Sequence, residues 1–159
     1  MSNQTEQDFM EQAAKLSLER MRANFGGPFG AVIVKDGVVI AHGYNKVTST
    51  CDPTAHAEIT AIREAAAALG NFDLSGCVIY SSCEPCPMCL AAIYWARIDR
   101  IYYAQSQQDA AAIGFDDAFL YEQLSLPAKS RSIGMIKLDN ETAAQAMQEW
   151  ALKTDKISY

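Results

Sequence analysis

The chain has 159 residues, of which 50% are hydrophobic and 20% are charged, and its formal net charge is −6. This composition excludes a disordered chain, and the length fits one domain over residues 1–159 that needs no disulfides. A membrane span needs an apolar run of roughly 18 residues, and none is present. The first residues also lack the basic and apolar parts of a signal peptide. We therefore expect a cytoplasmic protein with no membrane partner, and the negative charge counts against a nucleic-acid partner.

The N-terminal third predicts a helix followed by a β-hairpin. Residues 5 to about 24 have the apolar spacing of an amphipathic helix that covers one face of a sheet. Two β-branched runs follow, at residues 29–34 and 38–41. They are separated by Lys35-Asp36-Gly37, and Asp-Gly is a strong hairpin signal because the tight turn needs positive φ.

The rest of the chain predicts helices and strands in alternation. Helices are predicted at residues 54–69, at 87 to about 97 and at 140 to about 152, and strands at 77–82, 100–104 and 133–138. Between residues 105 and 132 the signal is mixed, with a short helix ending near Leu124. A hairpin followed by parallel crossovers predicts a three-layer α/β/α sandwich around a mixed five-stranded sheet.

A cluster of cysteines and one histidine carries the chemistry. Cys86 and Cys89 lie three residues apart at a predicted helix start, where the helix end lowers thiol pKa and favours metal-binding thiolates. The chain has two histidines, and His56 is the better third ligand because it stands in His56-Ala57-Glu58. His-x-Glu followed by Pro-Cys-x-x-Cys is typical of zinc deaminases that act on nucleobases.

This arrangement predicts one Zn²⁺ per subunit and a hydrolytic reaction. Two thiolates and a neutral imidazole leave a fourth metal position for water, whose pKa falls from ~15.7 towards ~7 on zinc. Glu58 is a poor fellow ligand because residues two apart in a helix point to different sides. It is better placed to carry protons from the water to the substrate and the departing amine.

Several other interpretations remain open at this point. A Cys-x-x-Cys pair also occurs in structural and redox sites, and the domain could be a non-catalytic zinc-binding interaction module. An iron–sulfur run would need another cysteine where Ile93 stands. Cys83, Cys51 and Cys77 are predicted to be packed structural residues, and His42 a strand-end histidine without a role.

The chain resembles the cytidine deaminase-like superfamily, and most closely its bacterial guanine deaminases, over almost its whole length. The resemblance is carried by Gly27-Pro28-Phe29-Gly30, Gly43-Tyr44-Asn45, Thr54-Ala55-His56-Ala57-Glu58, Ser82-Cys83-Glu84-Pro85-Cys86-Pro87-Met88-Cys89, Ala92-Ile93-Tyr94-Trp95-Ala96-Arg97, Gly114-Phe115-Asp116-Asp117 and the terminal Tyr159. It implies conversion of guanine to xanthine and ammonia by attack of zinc-bound hydroxide on C2.

The resemblance also assigns residues to the substrate. Asn45 would hydrogen-bond the purine as donor and acceptor, although such an asparagine can be a plain turn residue. Asp117 would accept from the 2-amino group and help protonate the leaving ammonia, unless it is only a solvated loop residue. Tyr159 would close the site of the partner in a homodimer with a swapped tail of about residues 140–159, unless it is a frayed terminus.

Two more substrate contacts are expected from the residues themselves. The ring of Phe29 can stack on a planar base, although it is equally suited to the core. The backbone N–H of Ala57 lies at a helix start and has no partner within the helix, so it can donate to the substrate.

A tRNA adenosine deaminase, or a deaminase of another free base, is the competing interpretation. Chains of the tRNA class share the zinc motif but usually carry leucine where this chain has Cys83, and they lack Gly-Phe-Asp-Asp. They also need a basic surface, whereas residues 139–159 contain four acidic residues and two lysines.

Overall fold

The fold is known from a computed structural model that describes residues 5–115 and 117–159. Asp116, one residue of the Gly-Phe-Asp-Asp motif, lies outside the described residues. The chain divides into two compact units, Met1–Ala118 and Phe119–Tyr159. None of the helices in the described part has the length and apolar character needed to cross a membrane.

The first unit contains helices and strands in alternation. In chain order these are α1 (Glu6–Arg22), β1 (Gly30–Lys35), β2 (Val38–Tyr44), α2 (Val47–Thr50), α3 (Ala57–Leu69), β3 (Cys77–Cys83), α4 (Pro87–Trp95), β4 (Arg100–Gln105) and α5 (Gln107–Ala112). The predicted helix and strand positions agree with these elements to within a few residues. The short helix α2 was not predicted.

The four strands form one mixed sheet in the order β2-β1-β3-β4. β1 is antiparallel to both β2 and β3, and β3 is parallel to β4. The hairpin between β1 and β2 turns at Asp36 and Gly37, whose φ angles are 50° and 75°, as the Asp-Gly signal predicts. Only the crossover through α4 joins adjacent parallel strands, because β1 lies between β2 and β3.

Alternate residues of the strands fill two separate cores. On one face Val32, Val34 and Tyr80 pack against Phe9 and Ala13 of α1. The other face buries Ala31, Ile33 and Ile79 with apolar residues of α3 and α4, including Ala57, Ala61 and Ile93. The predicted three-layer α/β/α architecture is therefore confirmed, because each face of the sheet is covered by helices.

The second unit contains the C-terminal elements. They are most of α6 (Ala118–Ser125), a 3₁₀ turn at Ala128–Ser130, and α7 (Glu141–Leu152), which Asn140 caps by accepting a hydrogen bond from the N–H of Ala143 at 2.8 Å. Within this unit the guanidinium of Arg131 donates to the carbonyl oxygens of Gln123 and Leu126, which holds the loop after α6.

The predicted fifth strand at residues 133–138 is wrong. This segment has no strand structure, and the side chains of Ile133, Ile136 and Leu138 are at least 80% exposed. Its β-branched composition fits a pleated surface, but a strand needs a neighbouring strand to accept its backbone hydrogen bonds. The sheet of the described residues therefore has four strands rather than five.

Candidate metal centre and adjoining cavity

His56 lies at the start of α3, against strand β2. It is the residue before the first helical turn, and its side chain makes no capping hydrogen bond, so the imidazole can point to another partner. Gly43 of β2 permits this placement, because a Cβ there would lie 2.0 Å from the carbonyl oxygen of Ala57. The first turn of α3 therefore packs directly on the β2 backbone.

Cys86 and Cys89 lie at the start of α4, after strand β3. Cys86 occupies the capping position without a side-chain cap bond, and Pro87 follows in the first turn, where the missing N–H of proline has no cost. Cys89 is buried one turn further on. The starts of α3 and α4 thus present three ligand-type side chains to one point.

The three side chains come together with a geometry suited to zinc. The Nδ1 atom of His56 is 3.6 Å from the sulfur of Cys86 and 3.6 Å from that of Cys89, and all three ligand atoms lie within 4.8 Å of one another. Tetrahedral zinc with bonds of about 2.05 Å to nitrogen and about 2.3 Å to sulfur separates these atoms by about 3.6 Å. The structure therefore brings the three predicted ligands together as a group that could hold a metal ion, with Nδ1 as the imidazole atom nearest the two sulfurs.

The thiols of Cys86 and Cys89 interact, and their pKa values shift in opposite directions. A hydrogen bond from the thiol of Cys89 is the largest influence on Cys86 and lowers its pKa to about 4. The same bond, together with burial, raises the pKa of Cys89. A cysteine with a lowered pKa suits a metal site, because thiolates are the form that binds metal.

Glu58 is buried beside the metal cluster. Its Oε2 atom is 3.4 Å from the sulfur of Cys89, and its Oε1 atom accepts a hydrogen bond of 3.3 Å from the hydroxyl of Ser81. Burial raises the pKa of Glu58 because it penalises the charged carboxylate. A buried carboxyl group held next to the metal ligands is suited to proton transfer.

A cavity of about 270 Å³ opens onto this cluster. Its lining includes four of the residues selected from the sequence for substrate or catalysis, and two of the three metal ligands: Phe29, Asn45, Glu58, Asp117, His56 and Cys86. A cavity of this size is at the small end for ligand sites and suits one small molecule.

Asn45 is fixed in the cavity wall by its side-chain oxygen. This oxygen accepts hydrogen bonds from the backbone N–H groups of Gly27 at 3.3 Å and Val47 at 3.2 Å. Both lone pairs of the oxygen are then occupied, so the amide NH₂ is the group that Asn45 can offer to a ligand. The oxygen is therefore already used within the protein, and the donor role of Asn45 towards a substrate stays a prediction.

Two aromatic rings form another part of the wall. Phe29 and Phe115 meet edge to face, with ring centroids 4.8 Å apart and an interplanar angle of 86°. Both rings line the cavity. Phe115 belongs to the Gly-Phe-Asp-Asp motif but was not selected as a site residue, because a single loop phenylalanine has no pattern that distinguishes a binding role.

The remaining predicted residues have different positions. Ala57 is fully buried in the first turn of α3. Tyr159 belongs to the second unit, and its side chain is exposed. Cys77 is buried as predicted, whereas Cys51 is exposed, so its predicted packing is wrong; among the described residues neither joins the three metal ligands. His42 is an exposed residue of β2, as expected.

Cys83 and Glu84 also line the cavity, and neither was assigned a role in it from the sequence. The sulfur of Cys83 is 3.7 Å from the carbonyl oxygen of Ser106, and burial raises the pKa of this thiol to about 11. Glu84 accepts a hydrogen bond from the backbone N–H of Gln107. The only sequence signal for either residue was its place next to the Pro-Cys-x-x-Cys motif.

Residues 3–105 match the family described as the cytidine and deoxycytidylate deaminase zinc-binding region. The chain is 49% identical to the guanine deaminase of Bacillus subtilis over 151 residues, which are 95% of this chain and 97% of that protein. The X-ray structure of a guanine deaminase from Bacillus subtilis superposes with a TM-score of 0.95 at 47% identity, over 98% of this chain and 99% of the other.

A second kind of relative matches only part of the chain. The tRNA-specific adenosine deaminase of Agrobacterium fabrum is also 49% identical, but over 86 residues, which are 54% of this chain and 57% of that protein. The two relatives are equally identical where they align, so the extent of the alignment distinguishes them.

Proposed function

Because this chain belongs to the cytidine and deoxycytidylate deaminase family of zinc-binding proteins, we propose that it hydrolyses guanine to xanthine and ammonia. The buried carboxyl group of Glu58, between the metal cluster and the cavity, is the observation that supports deamination. The choice of guanine rests on similarity to a guanine deaminase along nearly the whole of both chains. A non-catalytic zinc module has no use for a buried carboxyl group at an open cavity.

His56, Cys86 and Cys89 would hold the zinc ion through one nitrogen and two sulfurs. Zinc bound there supplies Lewis acidity, which makes a water molecule reactive near neutral pH. Three protein ligands are the number that catalytic zinc sites use.

Glu58 moves the protons of the reaction. It takes a proton from the attacking water as the bond from oxygen to C2 of guanine forms, and it delivers that proton to the adjacent ring nitrogen. A second proton from the same water passes to the 2-amino group as the C2–N bond breaks and ammonia leaves. The hydrogen bond from Ser81 holds one carboxyl oxygen, and the other oxygen faces the sulfur of Cys89 at 3.4 Å, next to the metal ligands.

The cavity wall orients the base. Asn45 donates its amide NH₂ to an acceptor atom of guanine, and Phe29 packs on the ring. The N–H of Ala57 donates to the substrate from the start of α3. Asp117 accepts from the 2-amino group and assists its departure as ammonia. A free base suits the small cavity better than a folded RNA, and the charge of −6 does not favour RNA.

Substrate choice is tested by measuring ammonia release by purified, metal-assayed protein. The substrates are guanine, adenine, cytosine, their nucleosides, and a transfer-RNA anticodon stem-loop with adenosine at the wobble position. We expect turnover of guanine above all others. Preferred turnover of the stem-loop adenosine would support a tRNA adenosine deaminase. Preferred turnover of another base would replace guanine in the substrate assignment. Zinc binding without turnover of any substrate would support the interaction module.

The functional form in this proposal is a cytoplasmic homodimer in which residues of about 140–159 exchange and Tyr159 closes the partner's site. Support comes from apolar side chains that a single chain leaves exposed, such as Ile136, Leu152 and Tyr159, and Tyr94 and Trp95 on α4. The cysteines, all free thiols, suit a reducing compartment.

The exchange is tested by removing residues 157–159. We expect the truncated protein to keep its zinc and its dimeric mass by light scattering, and to lose most of its guanine turnover. Mixing this truncated protein with a full-length Glu58→Gln variant should restore activity in the mixed dimers, because one site then has an intact Glu58 and a partner's Tyr159. A fully active truncation, or a monomeric wild-type protein, would contradict the exchange.

A further inference from the structure

Glu84 lies in the wall of the cavity, close in sequence to the metal-ligating cysteines. It follows strand β3 and precedes the first metal-ligating cysteine of α4 by two residues. Its carboxylate oxygen accepts a hydrogen bond of 2.9 Å from the backbone N–H of Gln107, the first residue of α5. Its own backbone N–H donates to the carbonyl oxygen of Gln105 at 2.8 Å, at the end of β4. One residue thus connects the segment that carries the metal ligands to the β4–α5 junction.

The adjoining residue makes a parallel connection. The thiol of Cys83 donates to the carbonyl oxygen of Ser106, the residue that caps α5. This thiol is neutral near pH 7, because burial raises its pKa to about 11, and a neutral thiol can donate. Three consecutive residues at the β4–α5 junction, Gln105, Ser106 and Gln107, are therefore held by two consecutive residues at the end of β3.

The other end of α5 leads directly into the cavity wall. Ala110 of α5 lines the cavity, and its carbonyl oxygen accepts a hydrogen bond of 3.0 Å from the N–H of Phe115. Phe115 meets Phe29 edge to face across the wall, and Asp117 lines the cavity two residues later. Through this hydrogen bond α5 contributes to the position of Phe115, which stands two residues before Asp117 in the chain.

We propose that Glu84 is a positioning residue that acts through α5, keeping Phe115 and Asp117 at a fixed distance from the metal cluster. The expected effect on guanine turnover rests on the proposed function. The expected effect on the structure of α5 is independent of it. Charged acceptors form stronger hydrogen bonds than neutral ones, so the carboxylate suits this connection. The role requires an acceptor oxygen at this position and no contact of Glu84 with the substrate.

The test compares two substitutions of Glu84 with one control. Glu84→Ala removes the acceptor, whereas Glu84→Gln keeps a neutral oxygen that can still accept from the N–H of Gln107. The control is Asp8→Ala, which removes a carboxylate that accepts from a backbone N–H at the start of α1. None of the residues lining the cavity belongs to α1.

Two quantities are measured on the zinc-loaded protein: amide hydrogen exchange in the peptide of residues 106–115, and kcat and KM for guanine. We expect Glu84→Ala to speed exchange in this peptide about tenfold. It should also lower kcat/KM about 10- to 100-fold, because misplaced groups lose rate steeply. Zinc content should stay the same. Glu84→Gln should restore most of both quantities, and Asp8→Ala should change neither.

Each other outcome has a defined meaning. Unchanged exchange in Glu84→Ala overturns the proposal, whatever the activity. Activity as low in Glu84→Gln as in Glu84→Ala, with normal exchange in Glu84→Gln, also overturns it, because the charge would then act on the substrate. If the wild-type protein does not turn over guanine but the exchange pattern follows the expectation, the substrate assignment fails and the positioning role of Glu84 stands.

Discussion

The three metal ligands and the part of the cavity wall formed by Asn45, Phe29, Phe115 and Asp117 are built in different ways. His56, Cys86 and Cys89 lie at the starts of α3 and α4, which pack on the buried face of the sheet. Asn45 and Asp117 lie in connecting segments instead, where single hydrogen bonds and ring contacts fix the wall. The cluster is therefore rigid through packing, whereas the wall depends on a few replaceable contacts. We therefore expect the helix starts to determine the reaction and the loops to determine the substrate.

The largest expected effect comes from removing a metal ligand. Cys86→Ala leaves two of three ligands, so zinc content should fall well below one per chain and guanine turnover should fall by at least about 1,000-fold. Zinc is measured by atomic emission on dialysed protein. Cys51→Ala is the matched control, because Cys51 is an exposed thiol outside the cluster. Full zinc occupancy with normal turnover in Cys86→Ala would remove this cysteine from the metal site.

The next effect separates the proton carrier from the metal. Glu58→Gln keeps the shape of the side chain but cannot exchange protons, so we expect at least about 100-fold lower kcat with unchanged zinc content. Steady-state kinetics with zinc analysis on the same sample give the result. Glu64→Gln, an exposed residue of the same helix, is the control. Near-normal kcat in Glu58→Gln would contradict the proton-transfer role.

A smaller effect is expected at the part of the cavity wall that Asp117 lines. Asp117→Asn replaces an acceptor for the 2-amino group with an amide, and guanine turnover should fall about 10- to 100-fold while zinc stays bound. Asp36→Asn, in the hairpin turn, is a control with the same chemical change away from the cavity. Unaffected guanine turnover in Asp117→Asn would contradict a role of this loop residue in substrate choice.

The smallest expected effect comes from removing the amide NH₂ group of Asn45. In Asn45→Asp the oxygen that accepts from Gly27 and Val47 is kept, but the NH₂ donor becomes an oxygen, so KM for guanine should rise about tenfold with little change in stability. Asn45→Ala should raise KM and also lower the free energy of unfolding by about 1–3 kcal/mol, because two backbone N–H groups lose their acceptor. Thermal unfolding and kinetics on both variants separate the two roles. Equal stability of both variants would contradict the wall contact.

The sequence identified candidate metal ligands because they belong to two short local motifs. His56 and Glu58 are two residues apart, Cys86 and Cys89 are three apart, and Pro87 marks a helix start beside the cysteines. The approach of His56 to Cys86, 30 residues later, is seen only in the structure. The helix at residues 54–69 was predicted three residues too long. Asp52 accepts hydrogen bonds from both the N–H and the hydroxyl of Thr54, which keeps this segment in a turn. As a result α3 begins at Ala57.

The features that the sequence did not predict depend on contacts between distant residues. The side-chain oxygen of Asn45 is occupied because it accepts from the backbone N–H of Gly27, 18 residues earlier. Glu84 holds Gln107, 23 residues later, and no spacing rule connects the two. The segment at residues 133–138 has the composition of a strand but no strand structure. A strand forms only where a neighbouring strand can pair with it, and the segment's own sequence does not reveal this.

Gly43 shows how a residue without functional groups can control chemistry. Because Gly43 has no side chain, the first turn of α3 can pack against it. The carbonyl oxygen of Ala57 lies only 2.0 Å from where a Cβ of residue 43 would be. Any other amino acid would push this turn outward and carry His56 and Glu58 with it. In a saturation mutagenesis screen for enzyme activity, Gly43 should therefore tolerate as few substitutions as the metal ligands themselves. Selection at such a position acts on backbone distance rather than on side-chain reactivity.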